Sequence, residues 1–379
     1  MSKKVIECGQ DIPSPAYVQQ HLRTMERRPF DGVVMRLPAE VVAWDGTLEG
    51  RRAHARRELE ALAAIEWRGP FTDNFVILHG RSTMDWFSDA DWAKVLENVR
   101  LCARAARVGR CKGVLWDPEP YGATNPWVWE QQPGHEGRNF ADYEAMARVR
   151  GAEFMQALQE EFPGLHVLSM RLLSDFAEGS PFCNPLLHLG EPDRTERLAG
   201  AYYGLHPAFL NGMLDAASPE VVITDANEDA YFYTSALSYF RAYKVLRQDA
   251  LVLVAPKNHR TYRAQVRVGH AASVDYVVGR WAGGLGGFPR ELTYQGLELT
   301  PEQQARWFEH NLYYALSTAD EYVWVWTERP LNWWAGEGIP PGIEEALRSV
   351  KEKQARGEPL GFAVEEMLAE ARARAARGG

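Results

Sequence analysis

The sequence predicts an α/β protein built as a (β/α)8 TIM barrel. Eight short apolar runs alternate with amphipathic helical segments along the chain, and this alternation is typical of parallel strands with crossover helices. The length of 379 residues lies within the range of such barrels. No G-x-G-x-x-G follows the first apolar run, so an open doubly wound sheet that binds a dinucleotide is the less favoured alternative.

The predicted strands are apolar runs that end beside polar or turn-forming residues. In chain order they are Lys4 to Cys8, Gly32 to Leu37, Asn74 to His79, Gly113 to Asp117, His166 to Arg171, Val221 to Asp225, Leu251 to Ala255 and Tyr322 to Trp326. Segments 51–65, 92–107 and 143–158 carry apolar residues at i, i+3, i+4 and i+7. Each of them is therefore expected to be a helix with one stripe that packs against the sheet.

Two connections are longer than a minimal β/α unit requires. Residues 176–219 follow the fifth predicted strand and residues 261–320 follow the seventh. Long connections near the carboxyl ends of barrel strands often form a cleft wall or a lid. We expect residues 1–340 to form the catalytic barrel domain, and the helical patterns in residues 341–379 predict a C-terminal extension packed on it.

Composition favours a carbohydrate or another small molecule as the partner. The chain has 42 Lys and Arg against 51 Asp and Glu, a net charge of -9, and no long basic block, which argues against nucleic acid and anionic membranes. Its four cysteines form no C-x-x-C or His-interleaved pattern, so we expect no disulfide framework, metal or cofactor. No secretion signal and no membrane span are predicted, while the compartment and the oligomeric state stay open.

Ionisable residues follow every predicted strand, at the end of the barrel where TIM-barrel chemistry takes place. They are Glu7, Arg36, His79, Arg81, Asp117, Glu119, Arg171, Asp225, Glu228, Lys257, His259 and Glu328. If these charges converge on one mouth, they would form a polar pocket for a ligand.

The stretch G-V-L-W-D-P-E-P-Y at 113–121 places two carboxylates one residue apart at the end of the fourth predicted strand. Such side chains project on the same side of a strand. Two like charges at so short a distance raise the pKa of one of the two groups. Glycoside cleavage needs a proton donor and a second carboxyl group that attacks or stabilises the sugar. We therefore expect Glu119 to be the general acid and Asp117 its partner, with Asp225 or Glu328 as the second functional carboxylate.

The substrate-binding candidates combine charged strand ends with aromatic side chains that can stack on sugar rings. They are Tyr121, His79, Arg81, Arg171, Lys257, His259, Trp326, Trp333, Glu7 and Arg36. Alternation along the strands predicts that Val167, Ser169 and Arg171 face the same way as Leu115, Asp117 and Glu119. The basic strand ends either pair with the carboxylates or bind an acidic sugar through charge-assisted hydrogen bonds.

The segment G-V-L-W-D-P-E-P-Y-G resembles the strand-4 signature of glycoside hydrolase family 18 chitinases and related endo-N-acetylglucosaminidases, D-x-D-x-E followed by an aromatic residue. The resemblance implies that Glu119 is the proton donor and that Asp117 orients the acetamido group of the substrate. The two earlier aspartates of the signature fall on Lys112 and Leu115, and V-V-I-T-D-A-N-E lacks the Met-x-Tyr pattern of the family's sixth strand. The segment is also similar to α-glycosidases, which would make Asp117 the nucleophile and Asp225 the acid.

Three other functions stay open at this point. A polysaccharide lyase could use Tyr121 or His79 as the base and Arg171 to neutralise a uronate. A barrel that kept a carbohydrate-binding cleft and lost turnover would account for Lys112 and Leu115. A metal-dependent sugar isomerase is the weakest alternative, because no H-x-H or similar ligand spacing is present.

Overall fold

A computed structural model describes residues 3–37, 52–80, 84–121, 124–177, 185–282, 289–328 and 330–377. Within these ranges, nine parallel strands form one sheet that curves into a nearly closed barrel with helices between the strands. The strands are β1 (Lys4–Glu7), β2 (Gly32–Met35), β3 (Phe75–His79), β4 (Gly113–Asp117), β5 (His166–Ser169), β6 (Val222–Asp225), β7 (Val266–Val268), β8 (His270–Ser273) and β9 (Tyr322–Trp326). The predicted TIM-barrel fold is confirmed.

The two edge strands of the sheet together take the place of one barrel strand. The order is β7-β6-β5-β4-β3-β2-β1-β9-β8, so β7 pairs with β6 while β8 pairs with β9. Gly269 alone separates β7 from β8, and a Cβ atom there would lie 2.8 Å from Cγ2 of Thr224 and 3.0 Å from the carbonyl oxygen of Tyr322. Glycine therefore permits the close approach at which the chain passes from one neighbouring strand to the other.

The predicted seventh strand, Leu251 to Ala255, is wrong. Residues Asp249–Leu253 form a 3-10 helix, and Val252 is 47% exposed, whereas a central parallel strand is covered on both faces. The true seventh strand is V-R-V-G-H-A-A-S at 266–273, in which Arg267, Gly269 and His270 interrupt the apolar pattern. The predicted connection 261–320 therefore contains this strand.

Thirteen helices of the described residues surround or extend the barrel. They are α1 (Pro15–Met25), α2 (Arg52–Ala64), α3 (Asp89–Val108), α4 (Phe140–Glu161), α5 (Glu191–Ala199), α6 (His206–Ala216), α7 (Ala236–Arg247), α8 (His259–Gln265), α9 (Val274–Val277), α10 (Arg290–Thr293), α11 (Pro301–Thr318), α12 (Ile343–Arg356) and α13 (Glu365–Arg377). The predicted connection 176–219 contains α5 and α6. No described helix is long and apolar enough to cross a membrane.

The C-terminal helix α12 packs against α11. The carboxylate of Glu309 on α11 accepts hydrogen bonds from the hydroxyl of Ser349 and the amine of Lys353, both at 2.7 Å. Leu347 and Val350 of α12 are buried, which adds apolar contact to these polar ones. The division of the chain at residue 340 stays a prediction.

The register of the sheet fixes which side chains face the helices. Trp116 packs on Phe154 of α4 and Phe209 of α6, with ring centroids 5.2 and 5.4 Å apart, so Trp116 lies on the outer face of the sheet. Ser169 pairs in register with Trp116, and Asp225 pairs with Ser169. Because residues paired across parallel strands share a face, both also point outwards.

This register corrects the predicted faces of strand 5. Leu115 lies beside Leu168, so Val167 and Ser169 do not share the inner face with Leu115 and Asp117. Sequence alternation gives the relative orientation within one strand, but only the pairing with a neighbour relates one strand to the next.

Candidate active site

A cavity of about 520 Å³ opens at the carboxyl ends of the strands. Glu119 follows β4, Arg171 follows β5, Glu228 follows β6 and Glu328 follows β9. The remaining lining residues are Gln10, Pro120, Tyr121, Tyr202, Tyr203, Tyr231, Trp281 and Trp326. This is the end of the barrel at which TIM-barrel enzymes carry their chemistry.

Asp117 lies directly beneath this cavity on the inner face of the sheet. It pairs in register with His79, whose Nδ1 lies 2.9 Å from Oδ2 of Asp117. The backbone N–H of Glu119 donates to Oδ1 at 3.0 Å, and the hydroxyl of Tyr121 lies 2.9 Å from Oδ2. These contacts fix the orientation of a carboxyl group that is 2% exposed.

Tyr121 connects the two carboxyl groups that the sequence predicts as a pair. Its hydroxyl lies 2.6 Å from Oε2 of Glu119 and 2.9 Å from Oδ2 of Asp117. A phenol has one hydrogen to donate, so both contacts are hydrogen bonds only if one carboxyl group carries a proton. The Tyr121 hydroxyl can therefore donate to either carboxyl group, and a proton on Glu119 would let it donate to Asp117 while it accepts from Glu119.

Electrostatics support a protonated Glu119. Burial, and after it the nearby carboxylate of Asp117, raises the pKa of Glu119, while the guanidinium of Arg171 opposes the rise. The flanking prolines hold this segment extended, and the indole of Trp127 donates to the carbonyl of Pro118 at 2.7 Å. The acid is therefore presented from a fixed backbone.

Arg171 is enclosed by carboxyl groups. Its Nε lies 2.7 Å from Oε2 of Glu228 and 3.5 Å from Oε1 of Glu119. Its Nη1 lies 2.9 Å from Asp175 and 3.6 Å from Asp229. Burial alone would lower the pKa of Arg171, but these carboxylates, Glu228 first, raise it well above its ordinary value. Four acidic groups around one cation leave the site negative overall.

Glu228 reaches the cavity because the chain turns sharply after β6. Asn227 has a left-handed backbone with φ 40°, a conformation that asparagine tolerates better than most residues. The backbone N–H of Glu228 donates to the carbonyl of Met170 at 3.2 Å, which ties this turn to the end of β5. Burial raises the pKa of Glu228, and the charge of Arg171 works against that rise.

Aromatic rings and a third carboxylate form the rest of the cavity wall. The rings of Tyr231 and Trp281 are 5.7 Å apart between centroids. Tyr231 is 3% exposed, and its hydroxyl has no hydrogen-bond partner among the described residues. The indole N–H of Trp326 donates to Oε1 of Glu328 at 3.0 Å. Such walls can stack on a ring and hydrogen-bond its substituents.

Asp225, predicted as a possible second catalytic carboxylate, faces the helical layer and does not line the cavity. It accepts hydrogen bonds from the hydroxyl of Ser174 at 2.6 Å and from the backbone N–H groups of Ser174 and Asn227 at 2.8 and 3.2 Å. Burial raises its pKa to about 7. This position does not support the predicted catalytic role, and the described acidic residue after β6 that lines the cavity is Glu228.

The structure does not support the predicted role of Lys257 and His259 in substrate binding. Lys257 lies 3.0 Å from Asp215 in the last turn of α6, and the chain after α6 leads into the start of β6. His259 Nε2 lies 2.9 Å from the carbonyl of Val254. Both residues therefore lie towards the amino ends of the strands, away from the cavity.

Three further predicted binding residues of the described ranges are not among the residues that line the cavity. Glu7 is fully buried and pairs in register with Val325 on the face opposite Trp326. Trp333 is also fully buried and Arg36 is not a lining residue, so this cavity gives no support to the predicted roles of these three residues. Arg81 lies outside the described residues.

The cavity brings Glu119, Tyr121, Arg171, Trp326 and Glu328 together as predicted, with Asp117 and His79 beneath them. Sequence reasoning gave no role to several lining residues: Gln10, Tyr202, Tyr203, Glu228, Tyr231 and Trp281. The available signals were N-E-D-A-Y directly after β6 and the tyrosine pair in G-A-Y-Y-G.

Among the described residues, no group of three or more His, Cys, Asp and Glu side chains is arranged to hold a metal ion.

Comparison with known proteins gives distant similarities in topology. No family model and no curated protein matches the chain. A GH18 chitinase from Pseudoalteromonas aurantia matches with a TM-score of 0.42 and 11% identity over 92% of this chain and 99% of its own. The major endoglucanase of Xanthomonas campestris pv. campestris gives 0.40 and 12% over 93% and 94%, and a DHPS from Yersinia pestis gives 0.38 and 11% over 93% and 95%.

Proposed function

We propose that the protein is a glycoside hydrolase that retains the anomeric configuration of its substrate. Glu119 acts as the general acid and base, and Glu228 acts as the nucleophile. The observation that carries this proposal is that both carboxyl groups line one cavity and contact the same nitrogen of Arg171.

The separation of the two carboxyl groups supports retention. Since Nε of Arg171 lies 3.5 Å from Oε1 of Glu119 and 2.7 Å from Oε2 of Glu228, these two oxygens are at most about 6 Å apart. Retaining glycosidases hold their carboxyl groups about 5 to 5.5 Å apart, whereas inverting enzymes need about 6.5 to 9.5 Å to admit a water molecule. A bound of this size lies nearer to the retaining range and supports retention.

Glu119 suits the proton donor because its surroundings stabilise the neutral acid. In the first step its proton moves to the glycosidic oxygen as the bond to the anomeric carbon breaks. The negative charge that remains on Glu119 lies near Arg171. In the second step the same carboxylate removes a proton from water and becomes the acid again. The water oxygen attacks the anomeric carbon.

Glu228 suits the nucleophile because it makes the shorter contact with Arg171. The guanidinium favours the ionised form of the closest carboxyl group and so works against the strong rise that burial causes in the pKa of Glu228. In the proposed mechanism Glu228 carries the charge and Glu119 carries the proton. Attack by Glu228 on the anomeric carbon forms a glycosyl ester, and water later breaks that ester with the same stereochemical inversion. Two inversions give net retention.

A lyase that acts on a uronate is less well supported. Its mechanism needs a cation that neutralises the carboxylate of the sugar, and among the described residues the cation lining this cavity is Arg171. That guanidinium already lies within 4 Å of four carboxyl groups. An acidic substrate would add a further negative charge to an acidic site.

Hydrolysis of a panel of α- and β-linked 4-nitrophenyl glycosides tests the proposal. We expect release of nitrophenol from one anomeric series, with a first-formed sugar that has the same anomeric configuration by proton NMR. Glu119→Gln should lower the rate on an unactivated oligosaccharide by about 10³-fold, whereas Glu130→Gln, an exposed residue of the same connection, should not. Absence of turnover on the panel, or a product of inverted configuration, would contradict the proposal.

A further inference from the structure

We infer that the sugar bound in this cavity carries a positively charged amino group and that Glu328 binds it. This inference rests on the proposed hydrolase function and specifies its substrate class. It concerns a different carboxylate from the Glu119 and Glu228 pair that performs the bond cleavage.

The charge of the cavity wall favours a cationic ligand. Its described charged residues are the carboxylates Glu228 and Glu328 against Arg171, while Glu119 is the neutral acid of the proposed mechanism. Asp117 lies directly beneath, and a ligand that fills the cavity would exclude the water that otherwise screens these charges. A neutral sugar would leave this excess unbalanced, whereas an ammonium group would offset part of it.

Glu328 is the carboxylate best placed to accept such a group. The indole of Trp326 fixes its Oε1, and its backbone N–H donates to Asp275 at 2.6 Å. Among the described residues, Oε2 of Glu328 accepts no hydrogen bond, and the residue lines the cavity. A carboxylate held on one oxygen and open on the other can accept a charge-assisted hydrogen bond from an amine.

A second and independent observation comes from Tyr231. Tyr231 is a lining residue of the cavity, and its buried hydroxyl has no hydrogen-bond partner among the described residues; a buried polar group of this kind needs a hydrogen bond. Together with Trp281 and Trp326 it surrounds the space with aromatic surface, which attracts ammonium ions as well as sugar faces. An amino sugar satisfies the hydroxyl, the rings and the open carboxylate together.

The same observations favour an amino sugar over the acidic sugar that the basic strand ends suggest. The expectation of an acidic sugar depended on basic strand ends gathered at one mouth, but Lys257 pairs with Asp215 away from the cavity and Arg36 does not line it. Arg260 is an exposed residue of α8, close to Lys257 in the chain. Arg171 is the basic residue that the described cavity wall contains, and carboxyl groups enclose it.

Calorimetric titration with monosaccharides tests the inference without any assumption about linkage. Glucosamine, galactosamine and mannosamine would each be compared with the parent hexose and with its N-acetyl derivative, which has the same substituent position but no charge. At low salt, we expect at least one hexosamine to bind about tenfold more tightly than both of its neutral counterparts. Salt should reduce this preference because it screens the ion pair.

Glu328→Gln provides the decisive variant, because it keeps the shape of the side chain and its Trp326 contact while removing the charge. The preference for the hexosamine should disappear in Glu328→Gln and persist in Glu130→Gln, with thermal melting used to verify that both variants fold. Equal affinity for charged and neutral sugars in the wild-type protein would overturn the inference. So would a preference that survives Glu328→Gln.

The outcome can be separated from the fate of the hydrolase proposal. Hydrolysis that depends on Glu119 but shows no preference for amino sugars would refute this inference and leave the proposed function intact. Selective binding of a hexosamine in the absence of turnover on amino-sugar glycosides would refute the hydrolase and leave the binding site.

Discussion

Two aspartates end strands of the same barrel and face opposite ways. Asp117 is the last residue of β4, pairs in register with His79 and lies under the cavity. Asp225 is the last residue of β6, pairs with Ser169 and points towards the helices. Both are buried and both close an apolar run. The comparison shows that register with the neighbouring strands decides which strand-end carboxyl group reaches the site.

The residues that follow these aspartates compensate for the difference. After β4 the chain continues through D-P-E-P, and Glu119 follows Asp117 into the cavity region. After β6 the left-handed Asn227 redirects the chain, and Glu228 enters the same cavity. Each strand end therefore supplies one glutamate of the proposed catalytic pair, although only one of them supplies an inward aspartate.

The largest expected effect is at Glu228. Glu228→Gln removes the proposed nucleophile, so kcat/KM should fall on the order of 10⁴-fold or more. Initial rates on the best glycoside measure this loss, and Glu220→Gln, an exposed residue just before β6, is the matched control. A variant that keeps more than about a tenth of the activity would remove Glu228 from the mechanism.

Asp117→Asn should have the next largest effect. Because the Asp117 carboxylate helps to raise the pKa of Glu119, its loss lowers that pKa and leaves less protonated acid at neutral pH. We expect a fall in kcat/KM of about 10²-fold and a shift of the alkaline limb of the pH profile to lower pH. An unchanged alkaline limb would mean that Asp117 does not act through Glu119.

Asp225→Asn should separate stability from catalysis. An amide cannot accept all three hydrogen bonds from Ser174 and Asn227 without placing donor against donor, which costs about 1 to 3 kcal/mol of unfolding free energy. Denaturant titration measures this loss, while kcat/KM should stay within about threefold of the wild type because Asp225 does not line the cavity. A large loss of kcat/KM in a stably folded variant would return Asp225 to the active site.

The pH dependence of stability gives a smaller signal from the same residue. Burial raises the pKa of Asp225 to about 7, so the folded protein holds this proton more tightly than the unfolded chain. The associated stabilisation is complete below the unfolded pKa of about 4 and is lost as the pH rises through about 7. Asp225→Asn should therefore show a shallower fall in unfolding free energy across this window, and an equally steep fall would assign the effect to other groups.

The smallest effect is expected at Lys257. Its ion pair with Asp215 involves a side chain that is 66% exposed, and exposed pairs contribute at most about 1 kcal/mol. Lys257→Ala should leave kcat/KM unchanged and alter the melting temperature only slightly. A marked loss of substrate affinity in this variant would contradict the position that the structure gives to Lys257.

Much of the barrel could be predicted from the sequence because most of its strands are continuous apolar runs. The seventh strand could not, since its identity depends on Gly269 and on His270, whose ring nitrogens lie 3.0 Å from Asn227 and from Thr318. A polar residue with buried partners does not look like strand core in sequence. The competing apolar run at 251–255 is a short helix and turn with one exposed valine.

The carboxyl pair of β4 could be predicted because its spacing is local. The partnership of Glu119 with Glu228 could not, since it joins residues from two loops through Arg171 of a third. Tyr202 and Tyr203 lie in the long connection after β5, where no periodic pattern indicates which side chains fold over the cavity. Such long-range contacts depend on register and loop path rather than on sequence spacing.

Covalent trapping tests the central claim most directly. A 5-fluoro glycosyl fluoride of a sugar that the protein hydrolyses should form a glycosyl ester that persists long enough for mass spectrometry. We predict a mass increase of one sugar unit per chain, located on the peptide that contains Glu228 and absent in Glu228→Gln. A label on another residue, or hydrolysis with inverted configuration and no label, would contradict the account.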